Sequence, residues 1–415
     1  MKFLLLICIL SISILPLSAQ QHNEIVIGNV DSIRSNILKE KRKFWVHLPV
    51  SAKDGQHPNK KYPVIYLLDC DWNFSSVVGI VDFLTSVNGN SFFPEMIIVG
   101  IMNTERGRDL TPTHVSGGLW ADDYIKKVSG GGDAFLSFIE KELIPHIDSS
   151  YRTSHYKMLI GHSLGGLMAI HSLINHKNLF NSYIAIDPSM WWDQQKLLHQ
   201  CEQSMKADSY KGTSLFLAMA HTQNAGIDTA LVQGDTTSGT IHPRSILQLS
   251  HYVMSNLQNG LQASFKYYDE DTHSSVPLIA TYDGLHFIFQ DYQLIYKENY
   301  FNDPAFPLAS FIKNHYENIA MKYGVTSDDG SKLPPEDVVN NLGYFMMDKK
   351  QFKKAEDLFA MNIKNYPSGS TAYNYLGDLY VAKGEKENAM INYKKSLSLK
   401  QNDDVKKKLE KLEGK

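Results

Sequence analysis

A chain of 415 residues is longer than one typical domain, so its length favours two folded units. Its composition, 43% hydrophobic and 20% charged, is that of an ordinary globular protein. A formal net charge of -3 at pH 7 gives no electrostatic reason to propose a nucleic-acid partner.

The first segment has the three regions of a secretory signal peptide. Met1-Lys2 is followed by the apolar run 3–17 and then by Ser18-Ala19-Gln20. The apolar run is short for a membrane span, although an uncleaved anchor is the alternative. We therefore expect residues 1–20 to be removed, leaving an exported protein, periplasmic or extracellular, with no membrane span.

Two cysteines, Cys70 and Cys201, remain after removal of this segment. Two are too few for a disulfide framework, and they form either one bridge or two buried thiols.

Extended alternating stretches open the mature chain, and short apolar runs bounded by turn residues follow. The stretches 24–30 and 37–50 predict a pair of antiparallel strands. The later runs have the pattern of strands buried on both faces of a mostly parallel sheet. Helical patterns such as 133–147 lie between them, so the alternation predicts an α/β sandwich with right-handed crossovers. The apolar runs are 63–68, 96–101, 158–160, 183–186 and 215–220.

The run 158–160 leads into Gly161-His162-Ser163-Leu164-Gly165 and then into a helical pattern. Strand, Gly-x-Ser-x-Gly and helix are the parts of a nucleophile elbow, in which the serine hydroxyl is exposed on a sharp turn. The two glycines remove side chains that would collide there. The alternative is a glycine-punctuated turn with an incidental serine, and the flanking patterns favour a nucleophilic Ser163.

Several short sequence motifs occur along residues 25–295. In order they are Tyr66-Leu67-Leu68-Asp69, 106–112, 135–145, 161–166, Asp187-Pro188-Ser189-Met190-Trp191-Trp192 and His273-Ser274-Ser275-Val276-Pro277. On these motifs the chain resembles the esterase family of the α/β-hydrolase superfamily that includes esterase D, enterochelin-type esterases and many feruloyl esterases. The resemblance implies a three-layer α/β-hydrolase sandwich over residues 21–300. It also implies ester hydrolysis through an acyl-serine, with no cofactor and no metal.

The catalytic base implied by the resemblance is His273, which follows the extended run 265–268. Superfamily members place serine, acid and histidine in this chain order. Ser274 stands where relatives usually carry glycine, and His242 and His286 are the alternatives for the base.

The superfamily acid follows the strand predicted at 215–220, where relatives often have a Gly-Glu pair. This chain instead continues with His221-Thr222-Gln223-Asn224, so the first carboxylates beyond are Asp228 and, as the alternative, Asp235. A Ser-His dyad without a carboxylate is a further possibility.

The resemblance assigns the oxyanion-hole donors to the backbone N–H groups of Leu164 and Asp71, with Cys70 standing where relatives have glycine.

Substrate contacts are assigned to Trp191, Trp192 and Arg106. Either a tryptophan ring stacks on an aryl or sugar group, or the two rings clamp a cap. Arg106 and Arg108 are candidates to meet a substrate carboxylate or a siderophore catecholate. The favoured alternative is a structural ion pair between Arg108 and Asp109 that fixes the loop.

Beyond residue 300 the sequence repeats itself. Leu342-Gly343, Ala355 and Phe359 recur 34 residues later as Leu376-Gly377, Ala389 and Tyr393, which is the tetratricopeptide period. The sequence therefore predicts a helical connection over 301–333, then two tetratricopeptide-like repeats with a capping helix over 334–415. So short an array favours a buttress or dimer contact over a groove that binds a protein partner.

Three functions fit these features. The first is an exported serine esterase acting on small-molecule or oligosaccharide esters, either feruloyl or acetyl esters of polysaccharides or siderophore esters. The second is an acyltransferase with the same nucleophile. The third, a non-catalytic scaffold, is disfavoured because the elbow and His273 are both present.

Overall fold

The computed structural model describes residues 24–53, 57–87, 90–222, 229–326 and 333–414. Eight strands form one sheet in the order β1-β2-β4-β3-β5-β6-β7-β8. The pairs β1–β2 and β2–β4 are antiparallel and all other pairs are parallel, which confirms the predicted α/β sandwich with a mostly parallel sheet. The strands are β1 Asn29–Arg34, β2 Lys41–His47, β3 Tyr62–Leu67, β4 Ile97–Ile101, β5 Thr153–His162, β6 Ser182–Ile186, β7 Ser214–Ala220 and β8 Gln262–Tyr268.

Helices connect the strands and cover both faces of the sheet. A single π turn, Ile139–Leu143, joins α5 to α6. The hydrolase helices are α1 Val50–Lys53, α2 Cys70–Thr85, α3 Arg106–Asp109, α4 Asp123–Val128, α5 Gly132–Phe138, α6 Ile144–Ser150, α7 Leu164–Asn175, α8 Trp192–Ala207, α9 Thr229–Gly234, α10 Ile241–Met254 and α11 Val276–Ile288. The remaining helices are α12 Glu298–Asn302, α13 Leu308–Tyr323, α14 Glu336–Asp348, α15 Phe352–Asn365, α16 Ser370–Lys383, α17 Lys386–Leu399 and α18 Asp403–Glu413.

Strand β3 shows how the sheet is buried on both faces. All six of its residues are buried. Val64 and Tyr66 pack with the helices α5 to α8 and α10, while Ile65 and Leu67 pack with α2, α11 and α13 on the opposite face. Successive strand residues point to opposite faces, so an unbroken apolar run requires a helical layer on each side.

Helix α13 joins the hydrolase fold to the C-terminal helices. Tyr323 at its end is fully buried against the sheet layer, and its hydroxyl donates to the backbone oxygen of Ile288 and to Asp291. Leu308 and Ile312 at its other end belong to the apolar core of α14, α15 and α16. One helix therefore contributes to both cores.

The C-terminal helices pack in pairs, α14 on α15 and α16 on α17. A Cβ on Gly343 would lie 2.4 Å from the Phe359 ring, and one on Gly377 would lie 2.5 Å from the Tyr393 ring, so both glycines are needed for the close packing. The same hydrogen bond also recurs 34 residues apart: Asn362 donates to the backbone oxygen of Glu336, and Ser396 to that of Ser370. The assignment of these helices to tetratricopeptide repeats stays a prediction.

Three further expectations concern the whole chain. Cys70 and Cys201 are free, buried thiols, so the expected alternative of two thiols holds. Within the described ranges no helix combines the length and the apolar character that a membrane span needs. The predicted signal segment, 1–20, lies outside the described residues.

Candidate active site

Ser163 occupies a strained turn between β5 and α7. Its backbone angles are φ 58° and ψ -116°, a conformation that few non-glycine residues adopt. Gly161 is required here, because a Cβ on it would lie 2.1 Å from the backbone oxygen of Gly165. The backbone N–H of Ser163 donates to the oxygen of Ile186 at 3.0 Å, and Ser189 N–H donates to the oxygen of Ser163 at 3.0 Å. The loop after β6 thus holds the turn in the geometry of a nucleophile elbow.

His273 lies in the loop after β8, close to Ser163. The two residues together line two cavities of about 290 and 340 Å³. The Nδ1 atom of His273 is 2.6 Å from Oδ2 of Asp187. An ionised carboxylate can only accept, so Nδ1–H donates, and Nε2 carries the lone pair that a general base needs.

Asp187 directly follows β6 and is fully buried. One oxygen, Oδ1, accepts the backbone N–H of Ala220 at 2.9 Å, while Oδ2 accepts from His242 Nε2 at 2.9 Å as well as from His273. Burial disfavours the charged form of Asp187, but the hydrogen bonds from the two imidazoles outweigh burial and hold its pKa below the ordinary value. The carboxylate is therefore ionised at neutral pH.

The structure brings Asp187, and not Asp235, to His273. The Asp235 carboxylate accepts the N–H and hydroxyl of Thr237, both at 2.8 Å, in the segment before α10. It is consequently occupied in capping a local turn. Asp228 lies outside the described residues.

The two alternative histidines have different surroundings. His242 lines the smaller cavity and shares the Asp187 carboxylate with His273, so it belongs to the site. His286 lies on α11 between the rings of Phe92 and Phe93, with ring-centroid distances of 5.4 and 5.0 Å. Its surroundings are those of a core histidine.

His162, the residue before the serine, packs against His273, with the two ring centroids 4.5 Å apart. Burial, with the neighbouring His273, lowers the pKa of His162 to about 4. Because the His162 ring is neutral, the positive charge that His273 gains on protonation is balanced by Asp187.

The predicted oxyanion donors lie at the starts of two helices. Leu164 is the first residue of α7 and Asp71 the second residue of α2, and N–H groups in the first turn have no acceptor within their own helix. Cys70 fits where relatives have glycine because Gly100 of β4 lies opposite, where a Cβ would come 2.7 Å from that of Cys70.

An ion pair holds the loop that carries Asp71. The buried carboxylate of Asp69 accepts from Arg106 Nε and Nη2 at 2.7 and 2.9 Å, and from Asn103 Nδ2 at 2.8 Å. Arg106 also lines the larger cavity, with its guanidinium 5.4 Å from the Trp72 ring centroid. It thus faces the cavity while orienting the loop.

The two predicted tryptophans are separated by the fold. Trp191 lines the smaller cavity and meets Trp120 edge to face, with ring centroids 4.4 Å apart. Trp192 is buried and donates its Nε1–H to the backbone oxygen and hydroxyl of Thr113, both at 3.2 Å. Only Trp191 is placed to touch a molecule beside Ser163.

The expected ion pair of the neighbouring loop is present, with Arg108 Nε 2.8 Å from Asp109 Oδ1. Arg42, buried beside Asp109, and Glu40, partly exposed beside Arg108, extend it into a network that fixes the loop before α4.

The strand order, the elbow and the histidine and carboxylate at the ends of parallel strands define the α/β-hydrolase class. Residues 35–291 match the family model described as "Putative esterase", and the chain belongs to that family. It is a carboxylic ester hydrolase.

Three relatives illustrate the family. An IroE-like serine hydrolase from Shewanella oneidensis is 30% identical, with a TM-score of 0.64 over 81% of this chain and 98% of that one. Ferri-bacillibactin esterase BesA of Bacillus subtilis is 28% identical over 257 residues, covering 55% of this chain and 80% of the relative. The siderophore triacetylfusarinine C esterase of Aspergillus fumigatus is 30% identical over 167 residues, 38% of this chain and 54% of the relative.

Proposed function

We propose that the protein is an exported serine esterase that hydrolyses siderophore esters through an acyl-Ser163 intermediate. The observation that carries the proposal is the 2.6 Å hydrogen bond between buried Asp187 and His273, in a site where His273 and Ser163 line the same cavities. Two relatives are named for siderophore esters, which supports that substrate class. Export rests on the predicted signal segment alone.

In the acylation step, His273 Nε2 takes the proton of the Ser163 hydroxyl as Oγ attacks the ester carbonyl carbon. Asp187 balances the charge on the imidazolium that results. The carbonyl oxygen becomes an oxyanion, which accepts from the N–H groups of Leu164 and Asp71. The carbon–alkoxide bond then breaks, and the proton on His273 leaves with the alcohol.

In the deacylation step, water takes the place of the alcohol. His273 removes its proton, the hydroxide attacks the acyl carbon, and Ser163 recovers its proton when the acyl–Oγ bond breaks. The acid product leaves and the site is restored, so no group other than the chain's own residues and water takes part in this scheme.

His242 acts as a positioning residue. It donates to the same Asp187 oxygen that His273 uses, at 2.9 Å, and so fixes the direction in which the carboxylate faces. His242, His273 and the Ala220 N–H together give Asp187 three donors, and hydrogen bonds to the charged form favour an ionised carboxylate.

The cavity walls suit a bulky ligand with planar groups. Trp72 and Trp191 line the two cavities on either side of Ser163, and the Arg106 guanidinium adds a cationic edge. Aromatic faces stack on aryl groups, and a guanidinium favours anionic oxygens. Feruloyl or acetyl esters of polysaccharides are the alternative substrates. The choice between hydrolase and acyltransferase depends on whether water or a sugar or lipid hydroxyl attacks the acyl-enzyme.

Labelling with a fluorophosphonate probe tests the nucleophile. We expect the wild-type protein to be labelled and Ser163→Ala not to be, with the two proteins equal in melting temperature. Equal labelling of both would refute the proposed nucleophile.

A panel of esters tests the substrate class. The purified protein should have a higher kcat/KM on a catecholate siderophore lactone than on feruloyl or acetyl oligosaccharides. A preference for the sugar esters would overturn the siderophore assignment while leaving the esterase mechanism standing. Acyl transfer to an added hydroxyl acceptor in preference to water would replace hydrolysis by transfer.

For the C-terminal helices we propose a buttress. Lys354 of α15 is buried, and its ammonium donates to the backbone oxygens of Tyr300 and Phe301 at 2.7 and 3.0 Å. Deletion from Leu333 onward should therefore give insoluble protein. Soluble protein with intact turnover of short aryl esters would instead support a partner-binding module.

A further inference from the structure

A second cluster of histidines and a carboxylate lies at the far end of α7 from Ser163. Asp133 stands in the first turn of α5, His171 in the last turns of α7, and His176 directly after α7. We propose that these three residues bind one divalent transition-metal ion of the zinc type. The site goes beyond the esterase reaction and does not depend on it.

The three side chains already converge on one point. His171 Nε2 and His176 Nε2 lie 2.6 and 3.3 Å from the same oxygen of Asp133. One ligand atom from each residue can be chosen so that all three lie within 4.8 Å of one another. Metal–ligand bonds of about 2.0–2.2 Å at a tetrahedral angle place neighbouring ligand atoms about 3.3 Å apart. The Asp133 side chain is 70% exposed, so the surrounding solvent leaves space for the rotation that this spacing requires.

The donor set decides the class of ion. Two imidazole nitrogens and one carboxylate oxygen suit zinc and its neighbours in the first transition row, whereas calcium and magnesium prefer oxygen ligands alone. The cluster borders a cavity of about 380 Å³, lined also by Thr113 and Gln200. Three protein ligands leave coordination positions for water or a small ligand on the cavity side.

A neighbouring amide can fix the tautomer that a metal requires. In this structure the Asn175 side-chain nitrogen, Nδ2, lies 3.0 Å from His171 Nδ1 and donates to it, so His171 Nε2–H donates to Asp133. A half-turn of the amide puts its oxygen beside Nδ1 instead. The oxygen then accepts the Nδ1–H, and Nε2 presents its lone pair toward Asp133 and the ion. Metal-bound histidines commonly have such a partner on the second nitrogen.

The charges around the cluster permit a cation. Lys196 also lines the cavity, but its ammonium lies 4.0 Å from the Asp193 carboxylate, which offsets its charge. A simple ion pair would need only one histidine beside Asp133. The chain has such a pair elsewhere, where His146 lies 3.4 Å from Asp31, and that pair serves as a matched control.

The bound ion ties α5 to α7. Because α7 begins at the nucleophile and the cluster lies at its opposite end, the ion stabilises the fold without touching the reacting atoms. Zinc at about 100 times its dissociation constant should raise the melting temperature by about 5 °C.

Zinc binding to the tag-free full chain, stripped with a chelator and dialysed, tests the site by calorimetry. We expect one zinc ion per chain. His171→Ala and His176→Ala should each weaken binding at least about 100-fold, and Asn175→Leu by about 10- to 100-fold. His146→Ala should bind as the wild type does. Cobalt in place of zinc should give visible absorption bands that the His176→Ala protein lacks.

Melting temperatures in chelator, where no metal contributes, show whether each variant folds. If His171→Ala does not fold, His176→Ala and Asp133→Asn, whose side chains are more exposed, carry the test. Wild-type protein that binds no zinc below about 100 μM, or folded variants that bind it as the wild type does, would overturn the proposal. So would loss of binding in His242→Ala alone, since the ion would then lie on the Asp187 cluster.

Discussion

Replacing Asp187 by asparagine tests the catalytic geometry most sharply. Asparagine keeps the size of the side chain but offers one acceptor oxygen in place of two. The backbone N–H of Ala220, 2.9 Å from Oδ1, requires an oxygen on its side. The amide nitrogen then faces His242 and His273, so His273 Nδ1 must accept a hydrogen bond. Its proton moves to Nε2, the atom that has to take the proton of Ser163.

The expected loss follows from this wrong tautomer. We expect kcat to fall by about 10³- to 10⁴-fold, which corresponds to about 4 to 5.5 kcal/mol of activation free energy. Asp187→Ala should be no slower than Asp187→Asn, because alanine removes the amide that enforces the wrong tautomer. KM should change little, since Asp187 is fully buried and does not contact the substrate.

Hydrolysis of p-nitrophenyl butyrate, with melting temperatures measured alongside, provides the assay. Asp235→Asn is the matched control and should keep its turnover within about threefold, because its carboxylate caps a local turn. A folded Asp187→Asn protein with more than a tenth of wild-type kcat would refute the reasoning. A large loss in Asp228→Asn instead would restore the acid that the sequence predicted.

Three other changes test neighbouring parts of the fold. His162 has a folded-state pKa of about 4, below the unfolded value of about 6.5, so its stabilising contribution is complete above pH 6.5. About 3 kcal/mol of unfolding free energy should be lost between pH 6.5 and 4. Urea unfolding should show this loss as a difference between the wild-type protein and His162→Gln. Arg106→Met should lower kcat about 10- to 100-fold with a smaller change in KM, because Arg106 holds Asp69 in the oxyanion loop; a change in KM alone would make it a substrate contact. Gln194→Gly should raise the free energy of unfolding by about 0.5–1 kcal/mol, because Gln194 has the left-handed angles φ 54° and ψ 38°. Gln200→Gly, in the regular part of α8, should lower it. If both variants are less stable than the wild type in thermal unfolding, Gln194 is not strained.

The fold was predictable because its signals are local. The apolar run 63–68 reads as a strand buried on both faces, and the structure covers both faces of β3 with helices. Gly161 indicates a close approach of β5 and α7, and in the structure a Cβ on this residue would lie 2.1 Å from the backbone oxygen of Gly165. Periodicity and glycine spacing are properties of short segments, so one sequence is enough to read them.

The partner of His273 was not predictable in the same way. Asp187 and His273 are 86 residues apart, and only the pairing of β6, β7 and β8 brings them together. Chain order directed the search beyond β7, to Asp228 and Asp235. The available signal was weaker: Asp187 directly follows an apolar run and precedes a proline, where a strand ends beside the nucleophile. A carboxylate at that point is one strand closer to the elbow than a carboxylate after the next strand.

Placing the carboxylate after β6 changes what β7 has to supply. Parallel neighbours lie about 4.8 Å apart, so the end of β6 is one strand nearer to Ser163 than the end of β7. His273 arrives from the loop after β8 and reaches across the end of β7 to Asp187. At that end, the backbone N–H of Ala220 donates a hydrogen bond to Oδ1 and so fixes the position of that oxygen. With Oδ1 held by β7 and Oδ2 shared by two histidines, the carboxylate has one orientation, and that orientation sets the tautomer of His273. In the expected chain order β7 carries the catalytic acid. In the mechanism we propose, β7 instead orients an acid that follows β6.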